Sequence, residues 1–197
     1  MTRLDNKKQP QTPTLPKGIF QISDAVKLGL PRYALSRMTK EGKLRRLGPG
    51  IYVSSESEID PEYFDFIVGC MLCGPKAAVG GITALFHYQL IEEVPDRTWM
   101  VAPPEVRSPN RKYRVIRTTT KLNHGIAAEN GFRIVTPERA ILEALRHKSK
   151  IGERIAISAA RKAIFEKKID HKKLFKVAKK LGLLNVLHKY WEIISTP

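Results

Sequence analysis

The sequence predicts an α+β protein in two parts: a small unit of two short helices and a β-hairpin, then a mixed α/β domain that ends in a helical bundle. Three observations predict it. Two glycine-stopped helical runs, at 24–28 and 31–41, precede two short strand-like runs around Gly48-Pro49-Gly50. Four β-rich segments, at 77–80, 97–102, 113–119 and 132–135, follow with a helical stretch near 83–90 among them. From Pro137 onward the pattern is helical, with one helix at 137–147 and two or three more across 151–194.

Residues 1–17 carry Pro10, Pro13 and Pro16 and almost nothing apolar, so they read as a flexible arm. Ile19-Phe20-Gln21-Ile22 is a short extended lead-in. Ser23 stands where an N-cap belongs, with Asp24 in the first turn to complement the helix dipole. Gly29 stops that helix, and Pro31 suits the first position of the next, where its missing N–H costs nothing. Gly42 then ends the second helix before Lys43-Leu44-Arg45-Arg46-Leu47 opens the hairpin. Helix, tight turn, helix and basic hairpin is the order of a winged helix-turn-helix, here at 18–54. A short polar linker leads to Asp60-Pro61, a cap and first-turn signal for a helix through Cys73. Residues 60–197 form the second domain, and Thr136-Pro137 repeats the same start signal within it.

The chain has 197 residues and a formal charge of +16. That length leaves no room for a large multidomain enzyme. No apolar run approaches the roughly 18–20 residues of a membrane span, and the amino end lacks the apolar core of a signal peptide. Two cysteines are too few for a disulfide framework, so a cytoplasmic setting is expected. Residues 1–54 hold 11 basic and 3 acidic side chains, residues 55–147 hold 11 and 12, and residues 148–197 hold 13 and 4. Two basic ends thus flank a near-neutral middle. Clustered positive charge gains most from a polyanion, because binding releases condensed counterions.

On a helical wheel, Tyr33, Ser36, Arg37 and Lys40 share one face of the second helix, while Ala34, Leu35 and Met38 lie opposite. Arg, Ser and Lys are the side-chain types that major-groove readers use. Tyr33, Ser36 and Arg37 are expected to meet bases, with Arg32 at the amino end within reach of base or backbone. Lys40, Lys43 and one of Arg45 and Arg46 are expected on phosphates, since adjacent strand residues point to opposite faces. The plain alternative is an amphipathic helix whose polar side faces water.

Farther along, Lys172, Lys176, Lys179 and Lys180 form a stripe opposite Leu174, Ala178 and Leu181, with Asp170 as N-cap. It reads as a solvated face or as a secondary basic surface that follows phosphates without base readout. Cys70 and Cys73 form a C-x-x-C, but no second ligand pair follows, so packing is the better reading and no metal site is assigned. Pro95-Asp96 with Glu105-Val106-Arg107 imitates a nuclease signature, yet Arg107 is a poor substitute for the lysine and Pro103-Pro104 interrupts the strand. No catalytic residues and no cofactor are expected.

The run GIFQISDAVKLGLPRYALSRMTKEGKLRRLGPGIYV resembles the winged helix of the AbiEi antitoxins of bacterial type IV toxin–antitoxin systems. The pattern appears as Leu35-Ser36-Arg37-Met38, Gly42, Leu44, Arg46-Leu47 and Gly50-Ile51-Tyr52. Ala77-Ala78-Val79 with Ile82-Thr83-Ala84-Leu85, and Thr136-Pro137-Glu138-Arg139-Ala140-Ile141-Leu142-Glu143, resemble later segments of the family. Ala140 and Glu143 stand where Thr and Asp are usual. The resemblance implies a DNA-binding repressor of its own operon that binds inverted repeats. It also implies that the protein counteracts a nucleotidyltransferase toxin without a stable complex, and that a basic face on the second domain assists DNA binding. A regulator whose second domain binds a ligand or partner, with no antitoxin role, is the alternative.

Overall fold

In the computed structural model, residues 15–196 are described, so most of the expected arm lies outside them. The chain divides into two compact units, the first ending at Ile59 and the second beginning at Asp60. The fold is α+β, as the sequence pattern predicts.

The first unit runs β1 (Ile19–Gln21), α1 (Ile22–Lys27), α2 (Arg32–Lys40), β2 (Leu44–Gly48) and β3 (Ile51–Ser54). The lead-in is a true strand: β1 pairs antiparallel with β3, giving the sheet order β1-β3-β2. Because β1 leads straight into α1, that helix starts earlier than its expected start at residue 24. Gln21, not Ser23, occupies the N-cap position, and its N–H donates to the Asp24 carboxylate at 3.1 Å. Pro31 likewise sits one position outside α2, as N-cap with extended geometry, where a residue without an N–H loses nothing.

One small core holds the unit together: Phe20, Ala25, Leu30, Leu35, Leu44 and Tyr52, with Leu15, Ile22 and Met38 packed against it. Leu15, expected in the arm, therefore contributes to packing. Phe20 and Tyr52 face each other across β1 and β3 with their rings stacked 6.1 Å apart.

The second unit builds a five-stranded mixed sheet from β4 (Ala78–Val79), β5 (Thr98–Ala102), β6 (Tyr113–Arg117), β7 (Ile126–Glu129) and β8 (Phe132–Val135), in the order β6-β5-β4-β8-β7. The pairs β4–β8 and β5–β6 are parallel, whereas β4–β5 and β7–β8 are antiparallel. Strand β7 was not expected. It is the first arm of a hairpin closed by Asn130 and Gly131, both at positive φ (42° and 85°), the geometry of a type I′ turn.

Helix α3 (Pro61–Cys73), capped by an Asp60 carboxylate that accepts from the Glu62 N–H at 2.9 Å, packs on β4, β5 and β8. Helix α4 (Gly81–His87) sits against β5. Gly80, between β4 and α4, has no room for a side chain: a Cβ there would fall on Val101 of β5.

Helix α5 (Pro137–Arg146) is buried along nearly its whole length and packs with α4, α7 (Glu153–Phe165), α8 (His171–Leu181) and α9 (Leu184–Ser195), with the short α6 (Lys148–Ile151) beside it. Within α5, Arg139 and Glu143 are fully buried and joined at 2.7 Å. Arg139 also donates to the carbonyls of Lys121 at 2.8 Å and His124 at 2.5 Å, fastening the segment between β6 and β7 to the helix. Glu143 thus serves as the ion partner of Arg139.

Candidate nucleic-acid interface

The face of α2 separates as its spacing predicts. Ala34 and Leu35 are buried and Met38 half-buried, while Arg32, Tyr33, Ser36, Arg37 and Lys40 are exposed. Tyr33 stands 74% exposed, unusual for an aromatic side chain with core available nearby. Ser36 reaches back toward the Arg32 carbonyl at 3.5 Å, a weak contact it can exchange for another partner.

The start of the wing is tied to the end of this helix by backbone. The Lys43 N–H donates to the Met38 carbonyl at 2.9 Å, and Ser55 closes the base of the hairpin with bonds to the Lys43 carbonyl (3.0 Å) and the Gly42 carbonyl (2.5 Å). Recognition-type helix and wing therefore share one rigid junction.

Lys43, Arg45 and Arg46 are all exposed. Arg46 pairs across the sheet with Tyr52 and lies on the side that carries Leu44 and the small core, whereas Arg45 pairs with Val53 on the other side. The Arg46 Nε donates to the Gly48 carbonyl at 3.2 Å, which aims its guanidinium along the wing toward the turn.

One participant escaped the sequence reading. Glu41, at the C-cap of α2, lies 3.5 Å from Arg37 Nε and 2.9 Å from Lys43 Nζ, bridging helix and wing. The Lys43 hydrogen bond, then its charge, holds the Glu41 carboxyl below its ordinary value. Its position four residues after Arg37 and two before Lys43 was the available signal.

In the second unit, Lys172, Lys176, Lys179 and Lys180 are exposed on α8, opposite the buried Leu174, Ala178 and Leu181. The Asp170 side chain caps this helix, accepting from the Lys172 N–H at 2.6 Å. Lys173 behaves differently: it pairs at 2.8 Å with Glu138, which is buried.

The remaining motifs are not drawn together. Asp96 precedes and Glu105 follows β5, so the five residues of that strand stand between them. Asp96 instead pairs with Arg97 at 3.2 Å. Cys70 and Cys73 are free thiols of α3, and burial pushes both up, Cys73 to about 11. Among the described residues no group of three or more His, Cys, Asp and Glu could hold a metal ion, and no helix is long and apolar enough to cross a membrane.

Two helices, a three-stranded sheet and a basic hairpin beside an exposed polar helix face define a winged helix-turn-helix, the class of small DNA-reading units. Residues 17–55 match the family described as "Transcriptional regulator, AbiEi antitoxin". The match falls on the winged-helix unit and agrees with the resemblance to the AbiEi family that the residue pattern indicated. A similar fold is found in the crystal structure of the RV2827C protein from Mycobacterium tuberculosis, with a TM-score of 0.55 and 15% identity over 82% of this chain. This chain spans 66% of that protein's length, and at such identity the likeness concerns the fold alone. No curated protein matches.

Proposed function

We propose that the protein is a DNA-binding antitoxin and autoregulator of a type IV toxin–antitoxin operon. In this reading α2 enters the major groove of inverted repeats: Tyr33, Ser36 and Arg37 meet bases, Arg32 reaches base or backbone, and Lys40, Lys43 and one of Arg45 and Arg46 hold phosphates. The lysines of α8 add charge without readout, and the antitoxic role opposes a nucleotidyltransferase toxin without a stable complex in the cytoplasm. The observation that carries the reading is the exposed face of α2 with Tyr33, Ser36, Arg37 and Lys40, joined through the Met38–Lys43 backbone bond to a wing with three exposed cations. The family description of residues 17–55 supports the regulatory role.

Binding of the full chain to duplexes from its own upstream region, against random duplexes of equal length, tests it. With about 6–8 phosphate contacts per protomer pair, affinity should fall about a thousandfold or more between low and physiological salt. Arg37→Ala should relax sequence preference, while Ala at Lys172, Lys176, Lys179 and Lys180 should weaken every duplex alike. Equal losses on specific and random DNA for Arg37→Ala would contradict the assignment. Growth rescue of cells that express the neighbouring reading frame tests the antitoxin role.

A further inference from the structure

The second unit holds a cavity of about 640 Å³ between α3, α4, the 89–97 loop and α7, within the range of small-molecule sites. Its chemistry runs against the rest of the chain. In a protein of charge +16, residues 55–105 hold nine acidic and two basic side chains, and four of those carboxylates, Glu62, Asp65, Glu92 and Asp96, line this one cavity. Two are already neutralised: Asp65 by Lys112 at 3.4 Å and Asp96 by Arg97 at 3.2 Å. Glu62 and Glu92 have no basic partner among the described residues.

The same lining includes Phe66 and Phe86, the latter 37% exposed although it belongs to a helix packed against the sheet. Unpaired carboxylates and aromatic rings in one cavity can attract a positive charge in two ways, by Coulomb attraction and through the ring quadrupole. A bare metal ion does not fit this pattern, because among the described residues the acids do not gather into a group of three or more that could hold one. Lys162 of α7, also without an acidic partner among the described residues, supplies the one uncompensated cation of the lining.

We propose that this cavity binds an organic ammonium ion with a flat apolar body, the ammonium held by Glu62 and Glu92 and the body lying on Phe66 and Phe86. Lys162 receives a carboxylate where the ligand has one. The proposal goes beyond the DNA-binding reading and does not depend on it.

Calorimetric titration of the full chain with tryptamine, tryptophan and indole-3-acetate tests it without any DNA. Tryptamine and tryptophan should bind and indole-3-acetate should not. Glu62→Gln with Glu92→Gln should weaken tryptamine about tenfold or more, with the melting curve unchanged because both sites are exposed. Lys162→Ala should weaken tryptophan and leave tryptamine unaffected. Binding of tryptamine without tryptophan keeps the ammonium site and removes the role of Lys162. The proposal is overturned if neither amine binds at about 1 mM, if indole-3-acetate binds as well as tryptamine, or if the double glutamine variant binds tryptamine undiminished.

Discussion

Two arginines of this chain carry a glutamate four residues later, and the two pairs have opposite fates. Arg37 and Glu41 meet at 3.5 Å with side chains 71% and 40% exposed, whereas Arg139 and Glu143 meet at 2.7 Å with 0% and 1% exposed. The local motif is the same, since residues at i and i+4 are neighbours on any helix. The surroundings decide what it does. In water the attraction is screened and each partner can be exchanged for a phosphate or a base edge. Inside the fold both charges have lost their solvent, so each depends on the other, and Arg139 depends also on the Lys121 and His124 carbonyls that accept from it. Desolvation drives the Glu143 carboxyl above its ordinary value, with Arg139 opposing it.

The largest effect that this contrast predicts is on stability. Arg139→Ala should cost about 3–5 kcal/mol, because it strands a buried carboxylate. It also orphans two carbonyls, and urea unfolding would measure the loss. The double change Arg139→Met with Glu143→Leu should recover most of it, since an apolar pair of similar volume leaves no charge unpaired. A double variant as unstable as Arg139→Ala would mean that the two carbonyl bonds matter more than the ion pair.

Next in size is a pH effect at the end of the same helix. Burial first, then the charges of Arg146 and Lys150, holds His147 below its ordinary value of 6.5. The unfolded chain therefore takes the proton more readily, so this stability is complete above 6.5 and is lost as pH falls from there toward the folded value. Melting temperature should drop across that window, and His147→Gln should flatten the drop.

The smallest effect belongs to the exposed pair. Glu41→Gln should leave the melting temperature almost unchanged, since the pair is exposed and screened. It should nevertheless raise affinity for random duplex and steepen the salt dependence by about one counterion, as Arg37 and Lys43 are released toward phosphates. An unchanged salt slope would show that Glu41 does not restrain them.

Much of this architecture is legible in the residues. Asp60-Pro61 and Thr136-Pro137 mark helix starts that the structure keeps, and the apolar spacing of α2 separates buried Leu35 from exposed Tyr33. Local chemistry writes such signals directly, because a cap or a face needs only a few neighbouring residues. Strand β7 was missed although Asn130-Gly131 is a strong hairpin signal, since Ile126-Ala127-Ala128-Glu129 lacks the β-branched alternation of a typical strand. The bridge through Glu41 was missed because a wheel drawn for one helix omits the strand that follows it. Summing charge over residues 55–147 also concealed the acidic cavity, because the basic strand β6 and its flanks cancelled it. Those errors share a cause: the missed contacts join elements that a linear reading treats separately.

The crowding at Gly80 has one more consequence. A side chain at Gly80 would fall on Val101, and the Gly80 N–H donates to the Trp99 carbonyl at 2.9 Å, so the start of α4, the helix that carries Thr83, Phe86 and His87, is drawn close against β5. A receptor shaped in advance spends little on rearrangement. If the cavity takes the proposed ammonium ion, a wall built so close to the sheet should admit flat bodies more readily than bulky ones.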